Sequence, residues 1–171
     1  MKRLVCILAC ILLCCTLWGC QQEKEEPILV PVEFFYPRND FSYNDTETIL
    51  GSELRESAGH EADTLYLLNQ YLGGPKSDAL SRPFPKSCTI LSLSTADDTL
   101  SLVISDKFAG LTDMDLAIAC VALAKTATGI TGCDTVVIQA KTKLLDGRES
   151  ITIQDGVPLL QDDYVAPSQP E

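Results

Sequence analysis

The character of this chain breaks at a single point, and that break decides which residues are free to fold together. Lys2 and Arg3 precede an apolar run from Leu4 to Trp18, and directly after Cys20 the chain turns polar at Gln21-Gln22-Glu23-Lys24-Glu25-Glu26. A short basic end, an apolar stretch and a small residue at a cut make the plan of a secretory signal. The run falls short of the roughly 20 residues needed to span a bilayer. It therefore reads as a cleavable signal rather than a membrane helix. Removing residues 1–19 from the 171 leaves 152, enough for one domain with its own core and no metal or disulfide staples. The expected organisation is a signal peptide at 1–19, a tether at 20–27, a folded domain at 28–163 and a disordered, Pro-rich tail at 164–171.

The segment Leu17-Trp18-Gly19-Cys20 resembles a bacterial lipobox, with Leu17 at −3, Gly19 at −1 and Cys20 as the first mature residue. An A-x-A pattern, which ordinary secretion would favour, is missing. The resemblance implies a diacylglyceryl thioether on the Cys20 sulfur and a protein held by lipid on the extracytoplasmic face of the cell membrane.

The formal charge is −11, and loss of Lys2 and Arg3 makes the mature chain −13. Such a surface repels phosphate backbones and anionic headgroups, which argues against nucleic-acid binding and assigns membrane association to the anchor. Solubility alone accounts for an acidic surface; a basic partner would be a second reason for it. Five of the eight cysteines (Cys6, Cys10, Cys14, Cys15 and Cys20) belong to the signal and its cut, leaving Cys88, Cys120 and Cys133. Three is odd, so one thiol stays unpaired unless it joins two chains. Cys120 reads most simply as a small buried hydrophobe. A Cys120–Cys133 bridge is compatible with export and stays open.

Along the mature chain, Ile28, Val30, Val32, Phe34 and Tyr36 alternate as in a strand, with Pro31 marking an edge position or a start nearer Val32. A turn follows at Pro37-Arg38-Asn39-Asp40, then a second strand between Thr46 and Arg55. Glu61 to Leu72 reads as a helix burying Ala62, Leu65, Leu68 and Leu72, stopped by Gly73-Gly74-Pro75. The segments 89–94 and 99–105 form a hairpin around Thr95-Ala96-Asp97-Asp98, with Ile90, Leu100, Leu102 and Ile104 inward. A second helix starts with Thr112 as N-cap, is apolar on nearly every face from Leu116 to Ala124, and takes Gly129 as its C-cap. Thr135–Ala140 and Ile151–Ile153 are strands, with a turn in Leu144-Leu145-Asp146-Gly147-Arg148 between them. The fold class expected is α+β: one compact domain with a mixed or antiparallel sheet and two main helices packed on it.

Several segments, in order, resemble the GerMN domain of sporulation and spore-germination proteins. They are Pro31-Val32-Glu33-Phe34-Phe35-Tyr36-Pro37, Leu67-Leu68-Asn69-Gln70-Tyr71-Leu72-Gly73-Gly74-Pro75, and Leu91-Ser92-Leu93-Ser94 with Leu100 to Phe108. The alanine-rich helix Ala117–Ala124 and the strand in Thr131-Gly132-Cys133-Asp134-Thr135-Val136-Val137-Ile138-Gln139 complete the series. The sequence departs from the family pattern at Cys133, where an aliphatic is expected, and at Lys141-Thr142-Lys143, where a polar Asp-Gly turn is usual. The resemblance implies a small α/β fold like the ring-building modules of secretion and sporulation assemblies. It also implies a structural or interaction role in sporulation, germination or envelope assembly.

Chemistry-bearing motifs are sparse. The single histidine, His60, lies in a polar break and reads as an exposed loop residue. No nucleophile elbow, zinc helix, P-loop or dinucleotide fingerprint is present in the sequence. Asp97-Asp98 and Asp162-Asp163 lack calcium-loop spacing, and neither Cys88 nor Cys133 has an activating partner in sequence. The expectation is a non-enzymatic module with no cofactor, no metal and no small-molecule substrate. Its partners would be the membrane, through Cys20, and another envelope protein, docked on an edge strand such as 28–36 or the hairpin. A ligand-binding lipoprotein of an import system is the alternative, and an envelope hydrolase ranks third.

Overall fold

A computed structural model describes residues 30–41, 49–111, 113–144, 147–154 and 157–159. The signal segment, Cys20, the tether and the C-terminal tail lie outside the described residues, as do Ile28 and Thr112.

The alternation at the start of the domain yields strand β1, Pro31–Pro37, which buries Phe34 and Tyr36 and leaves Glu33 exposed. Its first residue is the proline, where the missing N–H costs no ladder bond. β2, Leu50–Glu56, pairs with it antiparallel, setting Phe34 against Glu53 and Val32 against Arg55. These two strands form a sheet of their own. That corrects the expectation of one sheet, while the α+β class stands.

Helix α1, Thr64–Leu72, opens on Asp63, whose carboxylate accepts the Tyr66 N–H at 2.9 Å. It begins three residues later than its periodicity suggested. Its buried residues are Leu67, Leu68, Tyr71 and Leu72, whereas Leu65 is 38% exposed and Ala62 precedes the helix in the open. Leu68 and Leu72 of the expected stripe are buried, and Leu67 and Tyr71 join them in place of Ala62 and Leu65.

The second sheet is five-stranded, in the order β3-β4-β5-β6-β7. β3 (Ile90–Ala96) and β4 (Thr99–Ile104) make the expected hairpin, closed by Asp97 and Asp98 alone. Asp97 adopts φ +51°, in the left-handed region that short-loop hairpins use and aspartate tolerates. A 3₁₀ turn, Asp106–Gly110, then drives Phe108 into the core.

Helix α2, Asp113–Thr131, crosses from β4 to β5 (Thr135–Ala140), which lies parallel to β4 as such a crossover allows. β6 (Ser150–Gln154) and β7 (Val157–Leu159) continue the sheet antiparallel. β7 is an addition to the expected strands; three residues centred on a proline carry almost no periodic signal.

α2 packs on β1 on one side and on β5 and β6 on the other. Being sandwiched between two sheets is the reason it is apolar nearly all round. By length and composition Met114–Thr131 could cross a membrane, yet Leu116, Ala119, Cys120, Leu123 and Ala127 are committed to the domain core. Thr126, wholly buried, accepts the Phe35 N–H at 3.0 Å and so ties the helix to β1. The helix runs past Gly129, the expected cap. Gly132, at φ +76°, ends it instead, with its N–H on Thr128 O at 2.8 Å.

Candidate functional site

The proposed lipidation residue, Cys20, lies outside the described residues, so the structure bears only on the domain it would carry. His60 is exposed and stacked on Tyr66, with centroids 3.8 Å apart. Among the described residues no group of three or more His, Cys, Asp or Glu side chains is placed to hold a metal. Cys88, Cys120 and Cys133 are all buried free thiols, so the bridge left open between Cys120 and Cys133 is not formed. Burial pushes the Cys120 thiol up to about 12 and raises that of Cys88 as well, which withholds the nucleophilic thiolate from both.

The best-built polar cluster went unnoticed in the sequence. On β2, Glu53 and Arg55 have side chains only 12% and 10% exposed and form a salt bridge through Arg55 Nη2. Arg55 also donates to Gln70 O at 3.2 Å and to Gly74 O at 2.6 Å, and its guanidinium lies 5.1 Å from the Phe34 ring centroid. Arg82 donates to Gly73 O. Helix α1 has no basic residue in its own last turn. Two arginines from elsewhere in the chain therefore supply the positive charge that its terminal carbonyls favour. Glu53 completes the clamp by accepting the N–H groups of Lys76 (3.0 Å) and Ser77 (3.1 Å). Burial works to raise the Glu53 pKa, but Arg55 and these two backbone donors outweigh it, and the net shift is downward.

That shift has a testable sign. With its folded pKa below the unfolded value, Glu53 contributes stability that is complete above the ordinary pKa of 4.5 and is lost as pH falls through the folded value. Glu53→Gln should be less stable than wild type at neutral pH and show a shallower loss of stability below pH 4.5 in urea titrations at stepped pH. The cluster holds the fold: Arg55 and Glu53 direct their hydrogen bonds to each other and to backbone groups.

Two clefts adjoin this region. One, about 410 Å³, lies between the β1–β2 ribbon and α1, lined by Val32, Leu54, Tyr66 and Gln70 among others. The other, about 470 Å³, is lined by Pro37, Arg38, Arg82, Pro83, Phe84 and Asp115 among others. In the second, Arg38 pairs with Asp40 at 2.9 Å and Arg82 is held by Gly73 O, so its cations already serve the fold. A ligand site would instead aim convergent polar groups into the cavity.

The remaining surface of note is the five-stranded sheet. Its inner face carries Leu100, Leu102, Ile104, Val136 and Ile138 into the core. The described residues of its outer face are exposed or half-buried. Register places Ser94, Ser101, Val137 and Thr152 in one row, with Ser92, Val103, Gln139 and Ser150 beside it. None of these eight is buried and none is charged, in a chain of net charge −11. On β1, β2 pairs one side, and on the other Thr126 of α2 takes the Phe35 N–H, so that edge is interrupted at its centre.

One solved structure contains a similar architecture. Tandem GerMN domains of the sporulation protein GerM from Bacillus subtilis overlay with a TM-score of 0.51 at 15% identity, covering 71% of this chain and 44% of theirs. The fold is GerMN-like. The chain thus spans less than half the length of that tandem protein. A Clostridium perfringens protein assigned as a lipoprotein overlays with a TM-score of 0.45 at 17% identity, covering 78% of this chain and 89% of the other. That weaker overlay adds nothing to the GerMN-like assignment. No family profile matches the sequence, and no curated protein matches it at the sequence level.

Proposed function

We propose that this protein is a lipid-anchored, extracytoplasmic interaction module of the GerMN type, acting in sporulation, germination or envelope assembly through another envelope protein. The observation that carries this reading is the GerMN-like fold standing behind a signal segment that ends in Leu17-Trp18-Gly19-Cys20. Location comes from acyl chains on Cys20, since a surface of such negative charge has no attraction of its own for anionic lipid.

The test is fractionation of cells expressing the full-length chain, with radiolabelled palmitate supplied. The wild-type protein should take the label and sediment with membranes. Cys20→Ala should lose the label and leave the membrane fraction while keeping the heat-denaturation midpoint of the wild type. A Cys20→Ala protein that is still labelled and membrane-bound would sink the anchor.

A further inference from the structure

We propose that the outer edge of β3 is a docking site that receives one extended, positively charged segment of another protein as an added strand. This rests on the interaction-module reading above and gives it a surface and a partner chemistry.

Exposed sheet edges are ordinarily protected by charges, prolines or bulges, because unpaired backbone groups otherwise recruit further strands. The edges of this molecule differ in that respect. β2 carries Glu53, Arg55 and Glu56, and β7 carries Pro158. β3, whose seven residues read Ile-Leu-Ser-Leu-Ser-Thr-Ala, has neither a charge nor a proline.

Its protection is confined to one end. The ladder slips between Ile90 and Ser92, and Asn69 of α1 closes over Ile90, accepting its N–H at 2.9 Å and donating to its carbonyl at 3.4 Å. Asn69 there does what an added strand would do, and it stops after one residue. Beyond the irregularity, Ser92, Ser94 and Ala96 face β4 across the two-residue turn, so Leu93 and Thr95 direct their N–H and C=O groups outward. Among the described residues neither has a hydrogen-bond partner on that side. A segment pairing with them would also meet Leu91, which is 48% exposed.

Charge selects the occupant. Asp97 and Asp98 stand exposed at the open end of this edge, and the Asp134 N–H is held 3.4 Å from Asp98 Oδ1. From Cys88 to Asp106 the chain contains no Lys or Arg. A second copy would bring another strongly negative net charge to this edge, whereas an extended segment bearing Lys or Arg is drawn to it. Backbone pairing supplies adhesion, and the acids set which end of the segment lies at the hairpin tip.

A random dodecapeptide library panned against the full-length chain in detergent tests this without regard to Cys20, so failure of the anchor and failure of the edge are read separately. Enriched peptides should be rich in β-branched residues with Lys or Arg clustered toward one end. Thr95→Pro removes an outward N–H without touching the β4 ladder and should weaken their binding about tenfold or more. Asp97→Asn with Asp98→Asn should weaken it about threefold at low salt and much less at high salt. Should Thr95→Pro fail to fold, Thr95→Lys, which repels a basic segment and is tolerated on an edge, replaces it. The proposal is overturned if nothing is enriched, if the peptides are acidic, or if they bind both Thr95 variants as tightly as wild type. It is equally overturned if sedimentation shows a dimer that these variants dissociate, since the occupant is then a second copy.

Discussion

Tyr71→Ala should lower the unfolding free energy by about 3–5 kcal/mol, the range found when a large buried aromatic is truncated. Tyr71 is the hub of the aromatic core. Its ring stacks on Tyr36 with centroids 4.7 Å apart and receives Phe34 and Phe84 edge-on at 5.8 and 5.9 Å. Its carbonyl accepts the Tyr36 hydroxyl at 2.8 Å. Truncation would open a cavity between α1 and β1 that neither backbone can close. The hydroxyl tells the opposite story: it is buried, and among the described residues no hydrogen-bond partner meets it, Thr126 being a polar neighbour. Tyr71→Phe should therefore equal or exceed wild type in stability, because it removes an unsatisfied polar group and keeps the ring. Chemical denaturation of the three proteins decides the matter. A destabilised Tyr71→Phe would show that the hydroxyl is bonded in solution.

Arg55→Ala should cost about 2–4 kcal/mol, toward the range seen when one partner of a buried ion pair is removed. Three losses combine. Glu53 keeps its charge in a largely buried site, the carbonyls of Gln70 and Gly74 lose their donor, and the faces of Phe34 and Tyr36 lose their cation. The first loss can be isolated. In the Arg55→Ala background, Glu53→Gln should recover part of the stability, although the same change weakens the otherwise wild-type protein. A double-mutant cycle with additive effects would mean that the two side chains are not coupled.

These clamps explain why some of the molecule was legible in the sequence and some was not. The limits expected for β5, Thr135–Ala140, are those observed, because the β-branched run Thr-Val-Val-Ile is a local strand signal. The hairpin was legible through its alternating apolar residues, although its strands extend through Thr95-Ala96 to a shorter turn. For helix α1 the leucine spacing predicts the burial of Leu68 and Leu72 but not of Leu67 and Tyr71, since it cannot show that Tyr71 has Tyr36 waiting on another strand. Gly129 marks a place where the helix is able to stop, whereas the αL conformation that stops it belongs to Gly132. The division into two sheets was invisible for a related reason: β1 and α2 meet across more than ninety residues of sequence, through Phe35 and Thr126. The candidate surface was half legible. The hairpin was named among the docking elements, but which edge lies open follows only from seeing Thr126 on one and Asn69 on part of the other.

The three unpaired thiols bear on how this molecule would age outside the cytoplasm. Folded, Cys88, Cys120 and Cys133 are shut away from oxidants. Opened even briefly in an oxidising medium, the described residues would present three thiols with no native pairing to return to. Mixed disulfides or sulfenic acids formed there would be too large or too polar for sites packed around a free Sγ. Each excursion would then become a one-way step, so the lifetime of the protein is set by how often it opens rather than by how favourable the closed form is.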